Sequence, residues 1–121
     1  MRAVVKMAPG DNALAFRDWP EPSPAPNQIK LKVGAAGICG TDIHIIHGTW
    51  PSRPPVVLGH EFCGAVVEVG DQVRGFQPGD RVVGSNPAVT CGACYHCRAG
   101  NDFMCPERVS AGYHIDGAFA D

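Results

Sequence analysis

Four cysteines within fifteen residues limit what this chain can fold into more than any other feature. Cys91, Cys94, Cys97 and Cys105 follow one another as C-x2-C-x2-C-x7-C. Spacings of three let a tight turn aim successive sulfurs at one point, and the longer loop returns the fourth. A structural zinc takes four such thiolates at tetrahedral corners, with Zn–S near ~2.3 Å. Gly92 and Ala93 keep the turn small, and Pro106 helps to stop the chain just after the last thiol. Residues 86–108 carry few large apolar side chains, so burial can hardly order them, and a bound metal is expected to do so instead. A disulfide framework is the competing reading. Cysteine makes up only about 5% of the chain, below the ~8–10% of a secreted disulfide scaffold. No secretory apolar region follows Met1 either. The expected compartment is therefore reducing, and a cytoplasmic location is expected.

The remaining composition bounds the class. With 45% apolar and 18% charged residues the 121-residue chain reads as one folded domain, 1–121, long enough to bury a core. A formal net charge of -2 offers no footprint for nucleic acid. No apolar run approaches the ~18–20 residues of a membrane span, so neither nucleic acid nor a membrane is an expected partner.

Short strands dominate the pattern. Met1–Lys6 and Leu14–Arg17 read as neighbours across the turn at Pro9-Gly10-Asp11. Residues 20–26, Pro-Glu-Pro-Ser-Pro-Ala-Pro, cannot donate a regular ladder and read as an extended surface linker. Ile29, Leu31, Val33 and Ala35 then alternate with Lys30, Lys32 and Gly34, the period of a half-buried strand. Thr41 or Asp42 is expected to cap a short helix over Ile43–His47, stopped by Gly48. Val56–Leu58, Phe62–Val69 and Arg81–Gly84 are further strand candidates, and Cys63 reads as a buried strand thiol. Many short strands with Gly and Pro punctuation predict a mostly β fold, a small barrel or sandwich. Phe119-Ala120-Asp121 reads as part of another strand, expected to be left without a partner within these residues.

A second constellation lies upstream of the cysteine cluster. Gly59-His60-Glu61 sets an imidazole beside a carboxylate, and Cys39-Gly40-Thr41-Asp42 offers a thiolate, a hydroxyl and a second carboxylate. A metal joining Cys39 to His60 would tie two distant segments together.

These runs carry a resemblance. Gly37-Ile38-Cys39-Gly40-Thr41-Asp42-Ile43-His44 and Gly59-His60-Glu61-Phe62-Cys63-Gly64 resemble the zinc-dependent alcohol dehydrogenases of the medium-chain dehydrogenase/reductase superfamily. Val66–Gly70, Gly79-Asp80-Arg81-Val82 and the four-cysteine lobe match that family in the same order. The resemblance implies a GroES-like barrel with short helices and a zinc-binding lobe at about 86–108. It implies that Cys39 and His60 ligate a catalytic zinc, with Glu61 either a further ligand or a close neighbour of the metal. Asp42 would hydrogen-bond the ligating histidine, which fixes its tautomer. Thr41 would receive the proton of an alcohol, and His44 would pass it toward solvent. The implied substrate is a small alcohol or polyol, and the Cys39-Gly40-Thr41-Asp42 form is closest to the polyol and threonine dehydrogenase branch. The implied coenzyme is NAD or NADP. No G-x-G-x-x-G fingerprint occurs in these residues, so the coenzyme domain is expected to follow position 121, in an enzyme that is a homo-oligomer.

Two other classes compete with this reading. One is a zinc-binding structural or interaction module with no catalysis of its own. The other is a GroES-type co-chaperonin, which shares the barrel but needs neither the cysteines nor Gly59-His60-Glu61.

Overall fold

The computed structural model describes residues 1–121. Strands β1 (Arg2–Lys6), β2 (Leu14–Asp18), β3 (Ile29–Gly37), β4 (Val56–Val57), β5 (Glu61–Val69) and β6 (Arg81–Val83) fall where alternation and β-branched runs predict them. They form two antiparallel three-stranded sheets, ordered β2-β1-β4 and β3-β5-β6. Two short helices, α1 (Gly40–Ile46) and α2 (Tyr95–Arg98), and a 3₁₀ turn at Asp102–Met104 complete the regular structure. No helix is long and apolar enough to cross a membrane.

The core is small: 15 of 121 residues are buried. Ala3, Val5 and Val57 form one cluster, and Ile45, Val56 and Leu58 form another. The Phe119 side chain packs against both. The segment that carries Phe119 is not left unpaired, contrary to the expectation from sequence. Ala120 bridges Ala3, the Val4 N–H donates to Phe119 O at 2.9 Å, and the Phe119 N–H donates to Leu58 O at 2.9 Å. It runs along β1 beyond the short β4, using ladder groups that only a strand pattern on both sides would have revealed.

Three further expectations are corrected. Helix α1 begins at Gly40 with Cys39 as its N-cap, rather than at Thr41 or Asp42. Asp42 sits at the third helical position and reaches back to accept the Cys39 N–H at 2.9 Å, the reciprocal half of a capping box. The helix ends as expected before Gly48, whose φ of 71° suits a residue without Cβ. In β3 Ile29, Lys30 and Leu31 are all half-buried, the alternation holds only from Leu31 to Val33, and Ala35 is exposed past a register shift in the ladder to β5 between Val33 and Ala35. Cys63 pairs with Ala35 and is exposed too, not buried. It faces a groove shared with Lys32, Arg81 and Val83.

The proline linker carries no ladder, as expected, turns at Pro26-Asn27, and is fastened rather than loose. The Lys30 ammonium pairs with Glu21 and holds that carboxyl below the usual range. The Gln72 N–H donates to Pro26 O at 2.8 Å.

Candidate functional site

Cys39 ends the extended run out of β3 and starts α1, while His60 immediately precedes β5 and Glu61 opens it. The β3–β5 ladder sets Gly37 opposite Glu61, which brings the two segments to one end of the sheet. One ligand atom from each of Cys39, His60 and Glu61 lies within 4.8 Å of the others. The three residues that sequence reading grouped are thus adjacent in space.

Asp42 stands behind this group and is fully buried. One carboxylate oxygen accepts the Cys39 N–H, and the other lies 3.4 Å from both His60 Nδ1 and the Gly59 N. His60 Nδ1 is buried and faces that carboxylate without an aligned hydrogen bond. With Nδ1 turned to Asp42, Nε2 is the nitrogen left for a metal. The Thr41 Oγ1 lies 3.7 Å from Cys39 Sγ, on the ligand side of the helix start. His44 is exposed, with Nδ1 3.3 Å from Thr49 Oγ1.

The lobe holds the second group. Cys94 caps α2, which carries Cys97, while Cys91 precedes it and Cys105 follows the 3₁₀ turn. Their sulfurs lie within 4.8 Å of one another, with separations of 3.5 Å (Cys94–Cys97), 3.6 Å (Cys91–Cys105) and 3.9 Å (Cys91–Cys97). A tetrahedral zinc with ~2.3 Å bonds sets its sulfurs about 3.8 Å apart, so the donor set fits that ion. The backbone N–H groups of Ala93 and Cys94 lower the Cys91 thiol to about 7. Desolvation, with the Cys94 thiol next, raises Cys97 to about 12. Cys105 is the one buried residue between 86 and 108, which agrees with a lobe that burial alone cannot order.

Sequence reading missed the strap that closes over His60. Gly59 has a φ of 93°, and a Cβ there would meet the Phe119 ring at 2.5 Å. A Cβ on Gly117 would meet Gly59 O at 2.1 Å, and residues 117–119 donate to the carbonyls of Val57, Leu58 and Gly59, so the segment runs directly against the backbone that leads into His60. The Tyr113 ring stands edge-on to His60, centroids 5.9 Å apart. Asp116 pins the strap, accepting from the Val57 N–H and the Trp19 indole, both at 2.8 Å. The paired glycines at 112 and 117 were the one available signal.

Residues 25–121 match the alcohol dehydrogenase GroES-like domain family. This chain belongs to that family. It is 43% identical over 120 residues to a sorbitol dehydrogenase of Halalkalibacterium halodurans, covering 99% of this chain and 35% of the relative. It is 42% identical over 125 residues to an L-threonine 3-dehydrogenase of Edwardsiella ictaluri, covering 100% of this chain and 36% of the relative. Among solved structures, a zinc-binding dehydrogenase from Sinorhizobium meliloti 1021 bound to NADP superposes with a TM-score of 0.85 at 44% identity, over 97% of this chain and 33% of that one. An NAD-dependent alcohol dehydrogenase superposes with a TM-score of 0.88 at 39% identity, over 99% and 36%. The chain spans about a third of the length of the relatives it matches.

Proposed function

We propose that residues 1–121 are the N-terminal catalytic domain of a zinc-dependent oxidoreductase that transfers hydride between an alcohol or polyol and NAD or NADP. In this reading Cys39 and His60, with Glu61 beside them, hold the catalytic zinc, and Cys91, Cys94, Cys97 and Cys105 hold a structural zinc in the lobe at about 86–108. The coenzyme is bound by residues outside this chain. The observation that carries the proposal is the convergence of Cys39, His60 and Glu61 in front of the buried Asp42 carboxylate. A thiolate, an imidazole and a carboxylate are zinc donors, and a carboxylate behind the imidazole is the usual support of such a ligand.

A zinc held there supplies Lewis-acid polarisation of an alcohol and moves its hydroxyl pKa toward neutrality. The protein's own groups then handle the proton. Thr41, beside Cys39, takes it from the substrate hydroxyl while giving up its own hydroxyl proton. His44, exposed and within reach of Thr49, releases it to solvent. Asp42 keeps the His60 proton on Nδ1 and anchors the Cys39 backbone, so both ligands stay aimed at one point. The relatives named for sorbitol and threonine support a substrate with a secondary hydroxyl next to a second polar group.

Steady-state oxidation of polyols, L-threonine and simple alcohols by the full protein, with NAD and with NADP, tests this reading. Turnover with one coenzyme, abolished by Cys39→Ala while the fold persists, is expected. Undiminished turnover in Cys39→Ala contradicts it.

A further inference from the structure

Gly37 faces Glu61 directly across the β3–β5 ladder. The Glu61 side chain does not stand up from the sheet but folds over the glycine. A Cβ built on Gly37 would come within 2.8 Å of Glu61 Oε2 and 3.4 Å of Glu61 Cβ. The carboxylate therefore occupies the volume that any other residue at 37 would fill with its own side chain. Cys39 follows two residues later along the same extended run, so the space above Gly37 is the carboxylate's route toward the thiol. Gly37 is no turn glycine, since its φ lies outside the left-handed region that alanine avoids. The missing methyl, not backbone freedom, is what this position supplies.

We infer that Gly37 is the positioning residue that allows Glu61 to act as a metal ligand: the absence of a side chain at 37 lets the carboxylate lie within reach of Cys39 and His60. This rests on the proposed reading of those three residues as a metal centre. A methyl group at 37 displaces Oε2, because contacts at 2.8 Å between a Cβ and another heavy atom are essentially never seen. The displaced atom is the end of a flexible side chain, so the carboxylate swings away and the strands stay paired.

The test is a competition titration of the full protein with Zn²⁺ against a chelator, and with Co²⁺, whose absorption reports the ligand set. In the unaltered protein a second metal equivalent that disappears in Cys39→Ala is expected; its absence overturns the reading of the centre and this inference with it. Given that site, Gly37→Ala should weaken it about 10- to 100-fold and change its Co²⁺ spectrum, with the lobe metal unaffected. Glu61→Gln should do the same, and the double variant Gly37→Ala/Glu61→Gln should be no weaker than Glu61→Gln alone. Unchanged affinity in Gly37→Ala, or losses that add in the double variant, overturns the role of Gly37 while leaving the metal centre standing. Should Gly37→Ala fail to fold, Gly37→Ala/Glu61→Ala decides: recovery of the fold supports a contact between the methyl and the carboxylate, and continued failure overturns it.

Discussion

Asp42 carries more of the site than any other single residue. Its carboxylate is fully buried, receives the Cys39 N–H and lies beside His60 Nδ1. Asp42→Asn keeps the shape but removes the charge that, in the proposed reading, holds the imidazole tautomer. Affinity for the metal at Cys39 and His60 should fall about 10- to 100-fold, measured by chelator competition, with the lobe metal retained. Asp42→Ala also strands the Cys39 N–H and should cost about 1–3 kcal/mol of stability in denaturant unfolding. A half-buried histidine sets a pH limit. Burial, followed by the charges of Arg53 and Arg108, lowers the His114 pKa, and His114 Nδ1 accepts the Ser110 N–H at 3.1 Å. An unfolded histidine takes up a proton near its ordinary value of about 6.5, while the fold resists that proton. The stability this gives is present above that pH and is lost as pH falls through and below it. A series of Tm values from pH 8 down to 5 should decline, and His114→Gln should flatten the decline. An equal decline in both proteins contradicts the assignment.

At the scale of elements, α1 is short and lies on its two ends. Cys39 and Asp42 close its N-terminus, and Lys6 from β1 closes its C-terminus. The Lys6 side chain is buried, with Nζ donating to Ile46 O at 2.8 Å and to Gly10 O. Lys6→Met removes both bonds and should destabilise the fold by about 1–3 kcal/mol, read from urea unfolding. These tertiary supports explain what could be read beforehand and what could not. The strands were legible, because alternation at Ile29, Leu31 and Val33 and the β-branched runs are local signals. The cap at Cys39 was not, since thiols are uncommon caps and the Asp42 side chain that completes it acts backward along the chain. The exposure of Ala35 and Cys63 was hidden because a register shift belongs to two strands, not to one sequence. The proximity of the four cysteines was legible from their spacing, whereas the grouping of Cys39, His60 and Glu61 came from the family resemblance. The strap over His60 depends on close backbone approaches at Gly59 and Gly117, which no local pattern encodes.

At the scale of the molecule, the core is thin, with 15 of 121 residues buried. Ile38, Val83 and Phe16 are exposed at 75%, 80% and 63%, and Ile38 and Phe16 line one shallow apolar depression with Val4 and Phe119. The 121 residues expressed alone should therefore self-associate in analytical ultracentrifugation, and Ile38→Ser with Val83→Ser should reduce that association. In the proposed reading the lobe depends on a bound metal for its order and the rest of the fold does not. Cys105→Ser should disorder residues near 86–108 and lower Tm, whereas Cys39→Ala should leave most of the fold intact. The most direct test of the whole account is the zinc content of the freshly purified full protein, measured by elemental analysis alongside these two variants. Two zinc ions per chain are expected, one lost in Cys39→Ala and the other lost in Cys105→Ser. Protein purified without chelator that contains no zinc, or a Cys39→Ala variant that still holds two, would contradict this.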